Sequence, residues 1–149
     1  MPEKETMMFR TLTDTVFVAP QIDVAAIAEA RALGVTLIIN NRPEDESPDQ
    51  TPGAKIESAA RTVGLDYIAI PITHSGFSQP QVDAMAAAMA GAEGKILAYC
   101  RSGTRSTLIW ALAEAKAGAE PDALSVIAED AGYDLSSIRP LLDMLKAQA

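Results

Sequence analysis

Four short runs in the chain are apolar on consecutive positions rather than on alternate ones: Val16-Phe17-Val18, Val35-Thr36-Leu37-Ile38-Ile39, Tyr67-Ile68-Ala69-Ile70 and Ile96-Leu97-Ala98-Tyr99. Runs this short, rich in β-branched residues and lacking a polar face, predict strands covered on both sides. Between them the period changes. Val24, Ile27 and Ala28 begin a helical stripe that stops at Gly34, and Ile56, Ala59, Ala60 and Val63 form another that stops at Gly64. Val82, Met85, Ala86 and Met89 keep the i, i+3, i+4, i+7 spacing of a buried helix face and end near Gly91. After the last strand only helical patterns follow. Leu108, Ala111, Leu112 and Ala115 precede Gly118, and Ala123, Val126 and Ile127 precede Gly132. Ile138, Leu141, Leu142 and Leu145 form the closing stripe, with Pro140 tolerated in a first turn. A glycine just past a periodic run predicts a left-handed helix cap.

Alternating strands and helices with a helical tail predict an α/β sandwich: a small, mostly parallel sheet flanked by helices. A chain of 149 residues fits one domain, spanning 1–149. The long polar stretch from Asn41 to Pro52 follows a strand's carboxyl end, the edge where ligand loops gather in open α/β sheets. Its acidic run, Glu44 to Asp49, reads as a solvated loop. Arg42 reads as the partner of Glu44 or Glu46, or as a supporting residue behind a site.

Composition narrows the function classes. At 48% hydrophobic the chain is not disordered, and at 5% aromatic its core rests on aliphatic side chains. Trp110, Met85 and Met89 sit at positions spaced for packing. Twelve Lys+Arg against twenty Asp+Glu give a formal net charge of −8, which predicts no nucleic-acid or anionic-membrane binding. No apolar run approaches the roughly 18 residues of a membrane span. The mixed-charge start, Met1-Pro2-Glu3-Lys4-Glu5-Thr6, is unlike a secretory leader and predicts a cytoplasmic protein. One cysteine, Cys100, permits no internal disulfide, and one histidine, His74, leaves too few soft ligands for a zinc site. No metal or other cofactor is implied. No heptad or uncovered apolar stripe speaks to oligomeric state.

The sharpest signal is Cys100-Arg101-Ser102-Gly103-Thr104-Arg105-Ser106, between the last strand and a helix start. There the positive end of the helix dipole favours a negatively charged sulfur. Gly103 lets the loop turn so that successive backbone N–H groups of Arg101, Ser102, Gly103 and Thr104 can cradle a tetrahedral anion. Arg105 adds a planar two-pronged grip on oxyanion oxygens. The hydroxyl of Ser106 is placed to hydrogen-bond the sulfur and help it leave. Nucleophile, cradle, cation and hydroxyl together describe thiolate attack on an oxyanion group. Arg101 reads either as a substrate-facing charge or as the partner of a surface carboxylate.

The stretch from Tyr67 to Ser106 resembles the dual-specificity branch of the protein tyrosine phosphatases. Leu37-Ile38-Ile39-Asn40-Asn41-Arg42-Pro43-Glu44 resembles that superfamily's strand followed by an arginine. Ala119-Glu120-Pro121-Asp122-Ala123-Leu124 resembles the turn and helix after its catalytic helix. More narrowly, Asn40-Asn41-Arg42-Pro43, the cysteine motif and Gln21 make nearly the whole chain similar to the bacterial beta-lactamase-hydrolase-like, phosphatase-like domains. Some of those relatives are fused to a metallo-β-lactamase-like domain, for which this chain lacks the length and the histidines. The resemblance implies a phosphatase fold and a cysteine-dependent attack on phosphate esters.

Two departures bear on that reading. The phosphatases have five residues between cysteine and arginine; here there are four, Arg101 to Thr104, as in the rhodanese sulfurtransferases. The phosphatases also supply a general-acid aspartate seven residues after the tyrosine of the Tyr-x-x-Ile-Pro strand, a position that here holds His74. An imidazole donates protons near neutral pH, so His74 can take that role. A lone loop histidine can equally be a solvent-exposed or capping residue. Asp83 lies further on, on the following helix, and is the weaker candidate. Three functions stay open: a phosphatase-like hydrolase acting on a phosphorylated substrate, a sulfurtransferase that takes a sulfane sulfur from a donor as a Cys100 persulfide, and a non-catalytic module that binds phosphate or another small oxyanion.

Overall fold

The computed structural model describes residues 8–149, so the opening residues on which the absence of a leader was argued lie outside it. Strands β1 (Arg10–Thr13), β2 (Val16–Ala19), β3 (Val35–Asn40), β4 (Asp66–Ala69) and β5 (Lys95–Tyr99) form one sheet in the order β1-β2-β5-β3-β4. Every pairing is parallel except β1 with β2. Helices α1 (Val24–Ala32) and α2 (Gly53–Thr62) cover one face. Helices α3 (Gln79–Gly91), α4 (Thr104–Lys116), α5 (Pro121–Asp130) and α6 (Arg139–Ala147) cover the other. The two-residue period of a strand divides β5 between these layers. Ile96 and Ala98 pack with α3 to α6, while Leu97 and Tyr99 pack with α1 and α2.

The helices follow the apolar period. Ala26, Ile27 and Ala30 are the buried stripe of α1, and Ile56 and Ala60 that of α2. Helix α4 is different. Its residues Ser106 to Ala113 are all buried, since the sheet lies on one side and the other helices of its layer on the rest. Trp110 and Met85 are core, as their spacing predicts. Pro140 sits in the first turn of α6, entered through a 3-10 turn at Ser136–Ile138. Gly118 caps α4 at φ +107, yet α3 contains Gly91 and exits through an extended Ala92. The left-handed cap expected at Gly91 is therefore not used.

Two further expectations need correction. Strand β1 carries no apolar run; it is a polar edge strand held by antiparallel pairing to β2, with its register broken between Thr11 and Thr13. Strand β4 forms one residue earlier than its apolar run and is an edge, so Ile68 is exposed rather than covered on both sides.

The register places the site. Ala19, Tyr99, Asn40 and Ala69 stand level at the carboxyl ends of four adjacent parallel strands. The chain leaves that row as Gln21, Cys100, Asn41-Arg42 and the segment through Ile72. Widely separated parts of the sequence converge there.

Helix α4 carries that edge, so its packing is the stability test. Truncating the fully buried Leu112 to alanine should lower unfolding free energy by about 2–5 kcal/mol. The measurement is the urea midpoint at unchanged slope.

Candidate functional site

Cys100 is fully buried. Its backbone N–H donates to the Ala19 carbonyl at 3.3 Å, anchoring the start of the loop to β2. The loop turns at Gly103, where φ is +90; a side chain there would be strained and its Cβ would collide with the Tyr133 hydroxyl. The turn directs the Gly103 N–H onto the Cys100 sulfur at 3.1 Å. The Gly103 carbonyl then accepts from the Thr107 N–H at 3.0 Å and from the Thr107 hydroxyl at 2.8 Å, starting α4. The Thr104 N–H reaches the Ser102 hydroxyl at 3.4 Å. Among the described residues, the backbone N–H groups of Arg101, Ser102, Arg105 and Ser106 have no protein acceptor. Such orphan donors at a helix N-terminus are what an oxyanion binds.

Arg105 is held from the opposite side. Its Nη1 donates to Glu46 Oε2 and to the Ile72 carbonyl, each at 2.7 Å, and its Nη2 donates to Glu46 Oε1 at 2.9 Å. A guanidinium has five N–H donors, and these contacts take three. The Nε–H and one Nη2–H remain, adjacent on one edge of the plane, which is the fork that grips an oxyanion. Glu46 also accepts from Arg42 Nε at 2.9 Å. Arg42, itself buried, donates through Nη1 to the Gln21 side chain at 2.9 Å and through Nη2 to the Ser47 hydroxyl at 3.1 Å. One carboxylate thus joins two guanidiniums. Hydrogen bonding from Arg105 holds the Glu46 carboxyl down to about 2, against an opposing effect of burial and with Arg42 assisting. Arg105 is pushed up in turn, first by Glu46 and further by its proximity to Cys100, while burial opposes.

This corrects the reading of the acidic run. Glu46 is not a solvated charge but the side chain that orients Arg105. Glu44 instead accepts the Gly53 N–H at 3.0 Å, at the start of α2.

Ser106 is fully buried, and its hydroxyl donates to Asn41 Oδ1 at 2.8 Å, so its proton is directed away from the sulfur expected to receive it. Asn41 is fixed by donating its side-chain amide to the Ile70 carbonyl at 2.9 Å and its backbone N–H to the Tyr99 carbonyl at 2.8 Å. Arg101 is exposed beside the loop, as are Ser102 and Thr104. His74 lies exposed on the turn after Ile72, and no hydrogen bond holds its ring among the described residues. Asp83 is on α3 and pairs with Lys116 and Gln79. Lys116 is at the far end of α4, roughly 17 Å along the helix from Arg105, so Asp83 belongs to another surface.

Residues 8–117 match the family described as "Beta-lactamase hydrolase-like protein, phosphatase-like domain". The chain belongs to this family. A beta-lactamase hydrolase-like protein of Xylella fastidiosa is 34% identical over 103 residues, which are 68% of this chain and 24% of that protein. The chain therefore matches about a quarter of the length of such relatives. Among solved structures, a Neisseria meningitidis protein described as a candidate phosphatase is 29% identical, with a TM-score of 0.81 over 93% of this chain and 98% of its own. Pseudomonas aeruginosa TpbA, in a complex with phosphotyrosine, is 14% identical, with a TM-score of 0.67 over 96% of this chain and 90% of its own. The fold is that of the protein tyrosine phosphatases, and the domain is phosphatase-like.

Within the family frame, the cysteine motif identified its own loop but not what steadies it. Glu46 is legible only as a partner of Arg42 and Asn41 only as part of a motif, while Tyr133 is not legible at all. A polar pair, Asn40-Asn41, directly following the apolar Leu37-Ile38-Ile39 was a usable signal, because buried polar side chains need partners. The Arg105 contact of Glu46 and the Ser102 contact of Tyr133 carried none, as those partners lie 59 and 31 residues along the chain.

The Glu46 pairing has a defined pH dependence. Its folded value lies below the ordinary 4.5, so its stabilisation is complete above about 4.5 and is lost as pH falls through about 2. Glu46→Gln should therefore lower the unfolding free energy at neutral pH by roughly 1–3 kcal/mol, between the values for exposed and buried ion pairs, a difference that narrows as the pH is lowered from 4.5 towards 2. Urea unfolding of both proteins at stepped pH measures it.

Proposed function

We propose that this domain hydrolyses phosphate monoesters through a phosphate carried on Cys100. The observation that most supports the reading is the Arg105 guanidinium, fixed by Glu46 and Ile72 with one two-donor edge left over, next to a cysteine at a helix N-terminus. The Cys100 thiolate attacks phosphorus, and the bond from phosphorus to the ester oxygen breaks. The Arg105 guanidinium and the free backbone N–H groups of Arg101, Ser102, Arg105 and Ser106 hold the three non-bridging oxygens as charge builds on them. His74, on the turn whose preceding carbonyl binds Arg105, gives a proton to the departing oxygen. Water then attacks the same phosphorus, the sulfur–phosphorus bond breaks, and inorganic phosphate leaves. Ser106 assists by turning its hydroxyl from Asn41 to the departing sulfur. Arg101, exposed at the rim, meets the part of the substrate beyond the phosphate.

Binding of phosphotyrosine by TpbA and of PI(5)P by PTPMT1, both remote relatives by fold, agrees with a phosphorylated substrate. The short loop by itself favoured sulfur transfer, but the phosphatase-like family and its structural neighbours lend that reading no support.

The test is turnover of p-nitrophenyl phosphate. Wild type should release p-nitrophenol, and Cys100→Ser should release none. His74→Ala should lower kcat by about 10²–10⁴-fold with little change in KM; an unchanged kcat removes His74 from the mechanism. Intact mass after thiosulfate should show no added sulfur on Cys100. A stable adduct there, without phosphate release, would replace hydrolysis by sulfur transfer. Phosphate binding without any turnover would leave an anion-binding module.

A further inference from the structure

The peptide unit between Ser102 and Gly103 is gripped at both ends. Inside the loop its N–H donates to the Cys100 sulfur at 3.1 Å, and outside the loop its carbonyl accepts the Tyr133 hydroxyl at 3.1 Å. A peptide is planar and trans, so its C=O and N–H point in opposite directions. Fixing one fixes the other. That matters here because glycine follows the carbonyl, and glycine adopts either sign of φ at little cost. Nothing intrinsic to Ser102-Gly103 keeps this N–H on the sulfur rather than rotated away.

Tyr133 is itself held. It follows α5, and its backbone N–H donates to the Ala128 carbonyl at 2.8 Å. The Arg10 guanidinium from β1 lies 5.4 Å from the centre of its ring and donates to the Ala131 carbonyl at 2.8 Å. Burial pushes the phenol up despite the opposing Arg10 charge, so the group stays protonated and remains a donor.

We propose that Tyr133 is a positioning residue for the nucleophile: its hydroxyl locks the Ser102–Gly103 peptide with the N–H on Cys100, and so stabilises the thiolate. The contact also polarises the peptide and strengthens the inner hydrogen bond. The charged and titratable groups around the sulfur are Arg105 from α4, Glu46 behind Arg105, and Tyr133 with Arg10 behind it. Among the described residues, Tyr133 alone of these hydrogen-bonds the carbonyl of this peptide. The proposal rests on Cys100 being the reactive sulfur of the proposed hydrolysis, but its test reads the sulfur directly.

The experiment is the rate of Cys100 alkylation by iodoacetamide across a pH series, for wild type and Tyr133→Phe, with thermal melting of each. Phenylalanine keeps the ring and the Arg10 contact and removes only the hydroxyl. The alkylation midpoint should rise by roughly half a unit to one unit, the size of one lost hydrogen bond. Turnover of p-nitrophenyl phosphate should fall about threefold to tenfold with it. An unchanged midpoint in folded Tyr133→Phe overturns the proposal. A raised midpoint in a protein without phosphatase activity would uphold Tyr133 and overturn the hydrolase reading alone. Should Tyr133→Phe not fold, wild type answers by nuclear magnetic resonance. The Gly103 amide should titrate together with Cys100, and an amide indifferent to that titration overturns the proposal.

Discussion

The site is organised around one carboxylate. Glu46 sits between the guanidiniums of Arg42 and Arg105 and is nearly removed from solvent. Two arginines this close repel each other, and without an anion between them neither would keep a fixed plane. With Glu46 in place, Arg105 presents a defined edge and Arg42 becomes a strut, reaching Gln21 after β2 and Ser47 in the long loop. Leaving two partly buried cations unpaired is the costly outcome in such a cluster, so the loop around Glu46 is held as firmly as the arginines it serves.

The sheet makes this arrangement possible. Four parallel strands end level, and each delivers one contributor at the same edge: Gln21, Cys100, Asn41-Arg42 and Ile72. Asn41 stitches three of these together, with hydrogen bonds to the Tyr99 carbonyl, the Ile70 carbonyl and the Ser106 hydroxyl. Each partner satisfies a buried polar group that would otherwise cost about 1–3 kcal/mol. Precision at the cysteine loop is therefore a property of the sheet edge as a whole and not of the loop sequence alone.

That distinction marks what the amino-acid sequence made legible. The helices are written in a local period of 3.6 residues and the inner strands in short unbroken apolar runs, and the cysteine motif is contiguous, so all could be read directly. The polar strand β1 could not, because its reason for being a strand is its partner Val16–Ala19. Edge or centre could not be assigned to β4 either, since strand order is a tertiary fact. Glu46 looked like one acid among several. Only the fold brings Arg105 to it from 59 residues away, and Tyr133 to Ser102 from 31. Propensity has no access to pairs of that separation.

The charge of the assembled site shapes what it can bind. Arg42 and Arg105 contribute two positive charges and Glu46 removes one, leaving one, which an ionised Cys100 would cancel. In the proposed hydrolysis the exposed Arg101 and a protonated His74 then supply the remaining positive charge, on a chain whose formal charge is −8. Long-range attraction to a phosphate dianion is correspondingly small. Holding the oxygens falls instead to directed dipoles at close range: the orphan N–H groups of the loop, the end of α4 and the two-donor edge of Arg105. Such donors reward correct geometry far more than charge, and in the proposed hydrolysis they strengthen as oxygen charge grows during attack. A loop one residue shorter than that of the tyrosine phosphatases has fewer of them, which raises the importance of every contact that keeps the remaining ones aimed. The peptide between Ser102 and Gly103 is held from outside the loop by the Tyr133 hydroxyl, as the next peptide is by the Thr107 hydroxyl.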